Sequence, residues 1–137
     1  TWSRRMAELL PIGCHLVVDL AGIAPALLTD DERILALLQD AVADAGFRCL
    51  DTACHRFEDG GGGFTAMLLL AESHVAIHTY PEFGYAAVDV FTCGPKAPEP
   101  ILAALESALV PRDVRSHRLA RGPGSRSPVA PSERDPR

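Results

Sequence analysis

The stretch from Phe64 to Thr92 constrains the fold more than any other, because it packs apolar runs between very short links. Phe64 to Ala71 is apolar on both faces, which predicts a buried strand. His74 to Thr79 predicts another, joined to the first by Glu72-Ser73, a link with neither glycine nor proline. Pro81, Glu82 and Gly84 make a turn. From Tyr85 to Thr92, Ala86, Val88 and Val90 alternate with Ala87, Asp89 and Phe91, the period of a strand. Reactive groups crowd the same stretch: Glu72, Ser73, His74, His78, Glu82 and Cys93.

The flanking sequence completes an alternating pattern. Gly13 to Gly22 reads as a strand, with His15, Val17 and Asp19 alternating against Leu16, Val18 and Leu20. Thr29-Asp-Asp-Glu32 matches a capping box. Ile34, Leu35, Leu38, Ala41, Val42 and Ala45 follow at helical spacing, and Gly46 is a suitable stop, which predicts a helix over 30–45. Phe47 to Phe57 predicts a strand. The glycines Gly60 to Gly63 serve either as a flexible hairpin connection or as bare backbone near a ligand. No Gly-Lys-Ser/Thr follows, so they are not a phosphate loop. A second helix is predicted over 99–109 and a last strand from Val114 to Leu119. Strands bunched between two helices predict an α+β fold: a two-layer sandwich, with a mainly antiparallel sheet and both helices on one face. Residues 12–121 are expected to form a single domain, after a loosely held leader over 1–11. A disordered tail is expected over 122–137, where Pro, Gly, Ser and Arg dominate.

A formal net charge of −5 argues against general nucleic-acid binding. No run reaches the ~18 apolar residues of a membrane span, and Glu8 and Pro11 interrupt the start too early for a secretory signal. A cytoplasmic location is expected, with Cys14, Cys49, Cys54 and Cys93 as free thiols. Cys14-His15 and Cys54-His55 are adjacent pairs that point to opposite strand faces, so no metal site is expected.

Each reactive residue has a plain reading beside a chemical one. Ser73 is a turn serine or a nucleophile with Glu72, His74 and His78 for company. A hydrolase is disfavoured, because Ser73 lacks the Gly-x-Ser-x-Gly elbow. His78 is a core histidine or a proton carrier, and Cys93 a packed thiol or a reactive one. Phe57 and Tyr80 are core aromatics or platforms for a flat ligand, and Glu82 a turn residue or a hydrogen-bond acceptor.

Taken together, Ala71-Glu-Ser-His-Val-Ala-Ile-His-Thr-Tyr-Pro-Glu82 and Gly84-Tyr-Ala-Ala-Val-Asp-Val-Phe-Thr-Cys-Gly94 closely resemble the bacterial and archaeal S-adenosylmethionine decarboxylases. These are small, self-processing, pyruvoyl-dependent enzymes of polyamine (spermidine) synthesis. The resemblance extends more weakly from Gly13 to about Gly122. It implies self-cleavage between Glu72 and Ser73, with Ser73 becoming a pyruvoyl group that forms a Schiff base with the substrate. It implies that His78 assists processing with help from Thr65, and that Cys93 is the proton donor. It implies that Phe57 and Tyr80 sandwich the adenine and that Glu82 holds the ribose. No metal is implied, and the site is expected across a homodimer. Cys14, Tyr80, the long glycine run and Pro95-Lys96-Ala97-Pro98 depart from the family pattern, which leaves ornithine or arginine as alternative substrates. An unprocessed, non-catalytic homologue is the other alternative.

Overall fold

A computed structural model of the chain describes residues 12–59 and 61–123. Eight principal elements follow in order: β1 (Gly13–Ala21), α1 (Asp31–Asp44), β2 (Cys49–Arg56), β3 (Phe64–Leu70), β4 (Ser73–Tyr80), β5 (Tyr85–Cys93), α2 (Glu99–Leu109) and β6 (Asp113–Arg121). The expected leader lies outside the described residues, as does the expected tail beyond residue 123. The strands form one six-stranded sheet in the order β2-β3-β4-β5-β1-β6, antiparallel at every pair. The fold is therefore the expected α+β sandwich.

Alternation along each strand decides which side is the core. Leu16, Val18 and Leu20 of β1, Leu68 and Leu70 of β3, Val75 and Ile77 of β4, and Val88 and Val90 of β5 are all buried. They meet Ile34, Leu38 and Val42 of α1 and Ile101, Leu105 and Leu109 of α2 in one cluster. Each such side chain, taken fully from water, contributes about 1.5–3 kcal/mol. Among the described residues, the opposite face of the sheet has no helix. There Val17, Met67 and Leu69 are exposed, with Leu69 at 55%. Among the described residues, no helix is long and apolar enough to cross a membrane.

The start of α1 departs from the expected capping box. A 3-10 turn over Pro25–Leu28 precedes the helix, and Thr29 Oγ1 donates back to the Ala26 carbonyl at 3.2 Å. With that hydroxyl engaged, the cap passes to Asp30, whose carboxylate accepts from the Arg33 amide at 3.2 Å. Gly46 follows the helix at φ 90°, a conformation suited to glycine and consistent with the expected stop.

Two local devices fix the far end of β4. Thr79 is buried, and its hydroxyl accepts from the Phe64 amide at 3.0 Å and donates to the Leu28 carbonyl at 2.9 Å. Gly63 runs so close to β4 that a Cβ there would lie 2.4 Å from the Thr79 carbonyl oxygen. At this position the glycine run meets a steric demand.

Candidate active site

The β3–β4 hairpin carries the Glu72–Ser73 peptide bond. Leu70 pairs with Ser73, so only Ala71 and Glu72 make the turn. Glu72 lies at φ 59°, a left-handed conformation uncommon outside glycine, asparagine and aspartate. Ser73 opens β4 and is buried, 7% exposed, with Oγ accepting the Cys93 amide hydrogen at 3.0 Å. The backbone irregularity thus sits in the turn before Ser73, and Ser73 itself points to the helix side of the sheet. The Cys93 thiol makes a long contact, 3.5 Å, to the Ile12 carbonyl.

Beside Ser73 on the open face lies a polar network that the sequence reading did not include. Asp89 accepts from His15 Nε2 and, at 3.2 Å, from His74 Nε2. Arg121 Nη1 approaches His15 Nδ1 at 2.9 Å. A guanidinium can only donate, so His15 accepts at Nδ1 and carries its proton at Nε2, toward Asp89. Burial raises the Asp89 carboxyl, but the hydrogen bonds from His15 and His74 outweigh it and hold the group below its ordinary value. Phe91 stacks on His74 with planes 11° apart and receives the edge of His15. These residues and Ser73, Glu72, Met67 and Leu69 line a cavity of about 600 Å³.

The ligand atoms of His15, His74 and Asp89 lie within 4.8 Å of one another, a spacing a metal ion could use. The Arg121 guanidinium and the proton it assigns to His15 Nε2 both oppose a cation there. A sequence signal for this network existed: Asp89 is the one charged residue in β5.

The remaining candidates gather at the opposite end of β4. His78 pairs with Thr65 across the β3–β4 ladder, and His78 Nδ1 lies 2.9 Å from Thr65 Oγ1. Tyr80 stacks on Tyr85 with centroids 5.6 Å apart. Glu82 lies in a 3-10 turn over Pro81–Phe83. Phe57, half exposed, joins Asp59, Gly63, Thr79, Tyr80 and Glu82 around a second cavity of about 290 Å³. Phe57, Tyr80 and Glu82 therefore do share one pocket.

His78 does not meet Ser73. They are five steps apart along the strand, which is ~16 Å at ~3.3 Å per residue, and they point to opposite faces. The candidates thus form two groups, Glu72, Ser73 and Cys93 at one end and Phe57, Thr65, His78, Tyr80 and Glu82 at the other.

The family model described as S-adenosylmethionine decarboxylase matches residues 14–122. The chain is 43% identical over 99 residues to the S-adenosylmethionine decarboxylase proenzyme of Parasynechococcus marenigrum, covering 72% of this chain and 76% of that one. It is 36% identical over 95 residues to the arginine decarboxylase proenzyme of Ignicoccus hospitalis, covering 69% and 66%. In structure it is similar to the adenosylmethionine decarboxylase of Aquifex aeolicus, with TM-score 0.73, 32% identity, and coverage of 81% of this chain and 91% of that one.

Proposed function

The chain belongs to the S-adenosylmethionine decarboxylase family, and on that premise we propose that it makes a pyruvoyl group from its own Ser73 and decarboxylates S-adenosylmethionine. The unit that carries the activity is residues 12–121. The supporting observation is the state of the Glu72–Ser73 bond. Glu72 is held in a left-handed turn, a strain of order 1–3 kcal/mol, and Ser73 Oγ is fixed by the Cys93 amide. A buried serine hydroxyl next to a strained carbonyl fits a self-generated ketone at residue 73.

Ser73 Oγ gives up its proton and bonds to the Glu72 carbonyl carbon; the peptide C–N bond breaks, leaving an ester and a free amine on residue 73. Loss of the Cα proton then expels Glu72 as a carboxylate. Water replaces the nitrogen, which leaves as ammonia. When present, the pyruvoyl ketone supplies an electron sink for loss of carbon dioxide. Cys93, whose amide bonds Ser73 Oγ, returns a proton from its thiol after that loss. Phe57 and Tyr80 offer aromatic faces to the adenine, and the Glu82 carboxylate can accept from two ribose hydroxyls. The product supplies the aminopropyl group for spermidine.

His78, with the Thr65 hydroxyl, acts in processing on a second copy of the chain. The two groups lie at opposite ends of β4, and the sheet face away from the helices exposes Val17, Met67 and Leu69 among the described residues. A two-fold dimer through that face, centred on β4, would lay the Glu72–Ser73 turn, which lines the open-face cavity although the Ser73 side chain points to the helices, over the partner's His78 end. Four free thiols support the expected cytoplasmic location.

Intact-mass analysis tests the reading, followed by carbon dioxide release from candidate substrates. Two fragments split before Ser73 are expected, with release from S-adenosylmethionine. A single native species of 14.7 kDa rules out the pyruvoyl group. The arginine decarboxylase relative favours arginine as the second substrate to assay. Release from arginine alone would select it, with Glu82 then facing a guanidinium.

A further inference from the structure

Thr92 is fully buried, at 0% exposure, and its hydroxyl has no hydrogen-bond partner among the described residues. Buried polar side chains are nearly always paired, and valine would fill the same space with nothing left unsatisfied. The position of this hydroxyl suggests why it is retained. The last register pair of β4 and β5 is His74 with Phe91. One step further sets Ser73 opposite Thr92, with both side chains on the buried side of the sheet. Directly opposed residues hold their Cβ atoms ~4.5–5.5 Å apart, within reach of two hydroxyls by rotamer change.

We propose that the Thr92 hydroxyl is a second hydrogen-bond donor to Ser73 Oγ, beside the Cys93 amide, and that it serves self-cleavage. The inference rests on the reading that Ser73 is the processing nucleophile. Oγ carries charge at two stages. It gains alkoxide character as its proton leaves and before it bonds the Glu72 carbon. It carries the electron pair again when the Cβ–Oγ bond breaks and Glu72 departs as carboxylate. One donor, the Cys93 amide, is already on Oγ at 3.0 Å. A second donor that is buried and not otherwise engaged strengthens as charge develops on Oγ, which is the condition for lowering a barrier. His78 and Thr65 play no part in this contact, since they lie at the other end of β4.

The test follows cleavage of the full chain by intact mass after refolding from denaturant, for the parent, Thr92→Val and Thr92→Ser. Thr92→Val is expected to melt at or above the parent temperature yet cleave at least ~10-fold more slowly. Thr92→Ser is expected to restore the parent rate. Slower cleavage without loss of stability separates a donor from a packing residue. Thr92→Ala, which cannot overpack the site, carries the same comparison should the valine chain not fold. Cleavage of Thr92→Val at the parent rate, or a serine chain no faster than the valine chain, overturns the donor role and leaves Ser73 processing intact. A parent that stays whole overturns both.

Discussion

Mixing two inactive chains probes the shared site directly. Take Ser73→Ala, which has no nucleophile, and His78→Ala, which has no proton carrier. Within one chain Ser73 and His78 are ~16 Å apart, whereas a proton transfer needs contact near 3 Å. Each variant alone should therefore remain whole, since loss of a general base slows a reaction ~10²–10⁴-fold. When equal amounts are refolded together, random pairing makes about half of the dimers mixed. Each mixed dimer has one end where an intact Ser73 meets an intact His78 from the other chain. About half of the His78→Ala chains should then be cut before Ser73, and none of the Ser73→Ala chains. The assay is intact mass over time, with an affinity tag on one variant to verify mixed dimers. Mixed dimers that form and stay uncut would show that His78 does not act across the interface. Prompt cleavage of His78→Ala by itself would remove His78 from processing altogether.

Two further expectations concern titration. Asp89 has a depressed pKa, so its contribution is present above the unfolded carboxylate value near ~3.9 and is lost as pH falls through the lower folded value. Asp89→Asn should lower stability at neutral pH by about 1–2 kcal/mol, allowing for solvent screening, and flatten the acid limb of a denaturant-midpoint profile. An unchanged acid limb would remove Asp89 as its source. Tyr85 donates to the Asp19 carboxylate, and this bond, with burial and the Asp19 charge, pushes its phenol up to about 12. A raised acid favours the folded state below its unfolded value near ~10, and that preference disappears as pH rises through the folded one. Tyrosinate absorbance should show one residue titrating late in the parent and near ~10 in Asp19→Asn; coincident titrations in both would exclude the bond.

The layering was legible because period and punctuation agree. Side chains alternate in character in β1 and β5, β3 and β4 stand out as short apolar runs, and Gly46 closes α1 where the sequence places a stop. The cap at Asp30 was not legible, because a 3-10 turn whose closing bond takes the Thr29 hydroxyl has little periodic signature. The candidate site was legible as a set of residue types through its resemblance, and strand parity already set Ser73 and His78 on opposite faces. What parity does not express is distance along a strand, and that distance divides the residues into two groups. The His15–Asp89–His74 network was hidden for another reason. Arg121 and His15 are 106 positions apart, and they meet because β1 lies between β5 and β6. Only the isolation of Asp89 in an apolar strand pointed there.

That placement of β1 also governs what a cut at Glu72–Ser73 leaves behind. One piece would keep β1, α1, β2 and β3, and the other β4, β5, α2 and β6. In the sheet order β2-β3-β4-β5-β1-β6, β1 of the first piece is clasped between two strands of the second, while β3 lies against β4. The pieces are interleaved like the teeth of a comb, and separating them means unzipping three ladders at once. Cutting the turn would leave the folded shape intact but make unfolding a dissociation, so that the melting temperature, blind to dilution within one connected polypeptide, would come to depend on protein concentration.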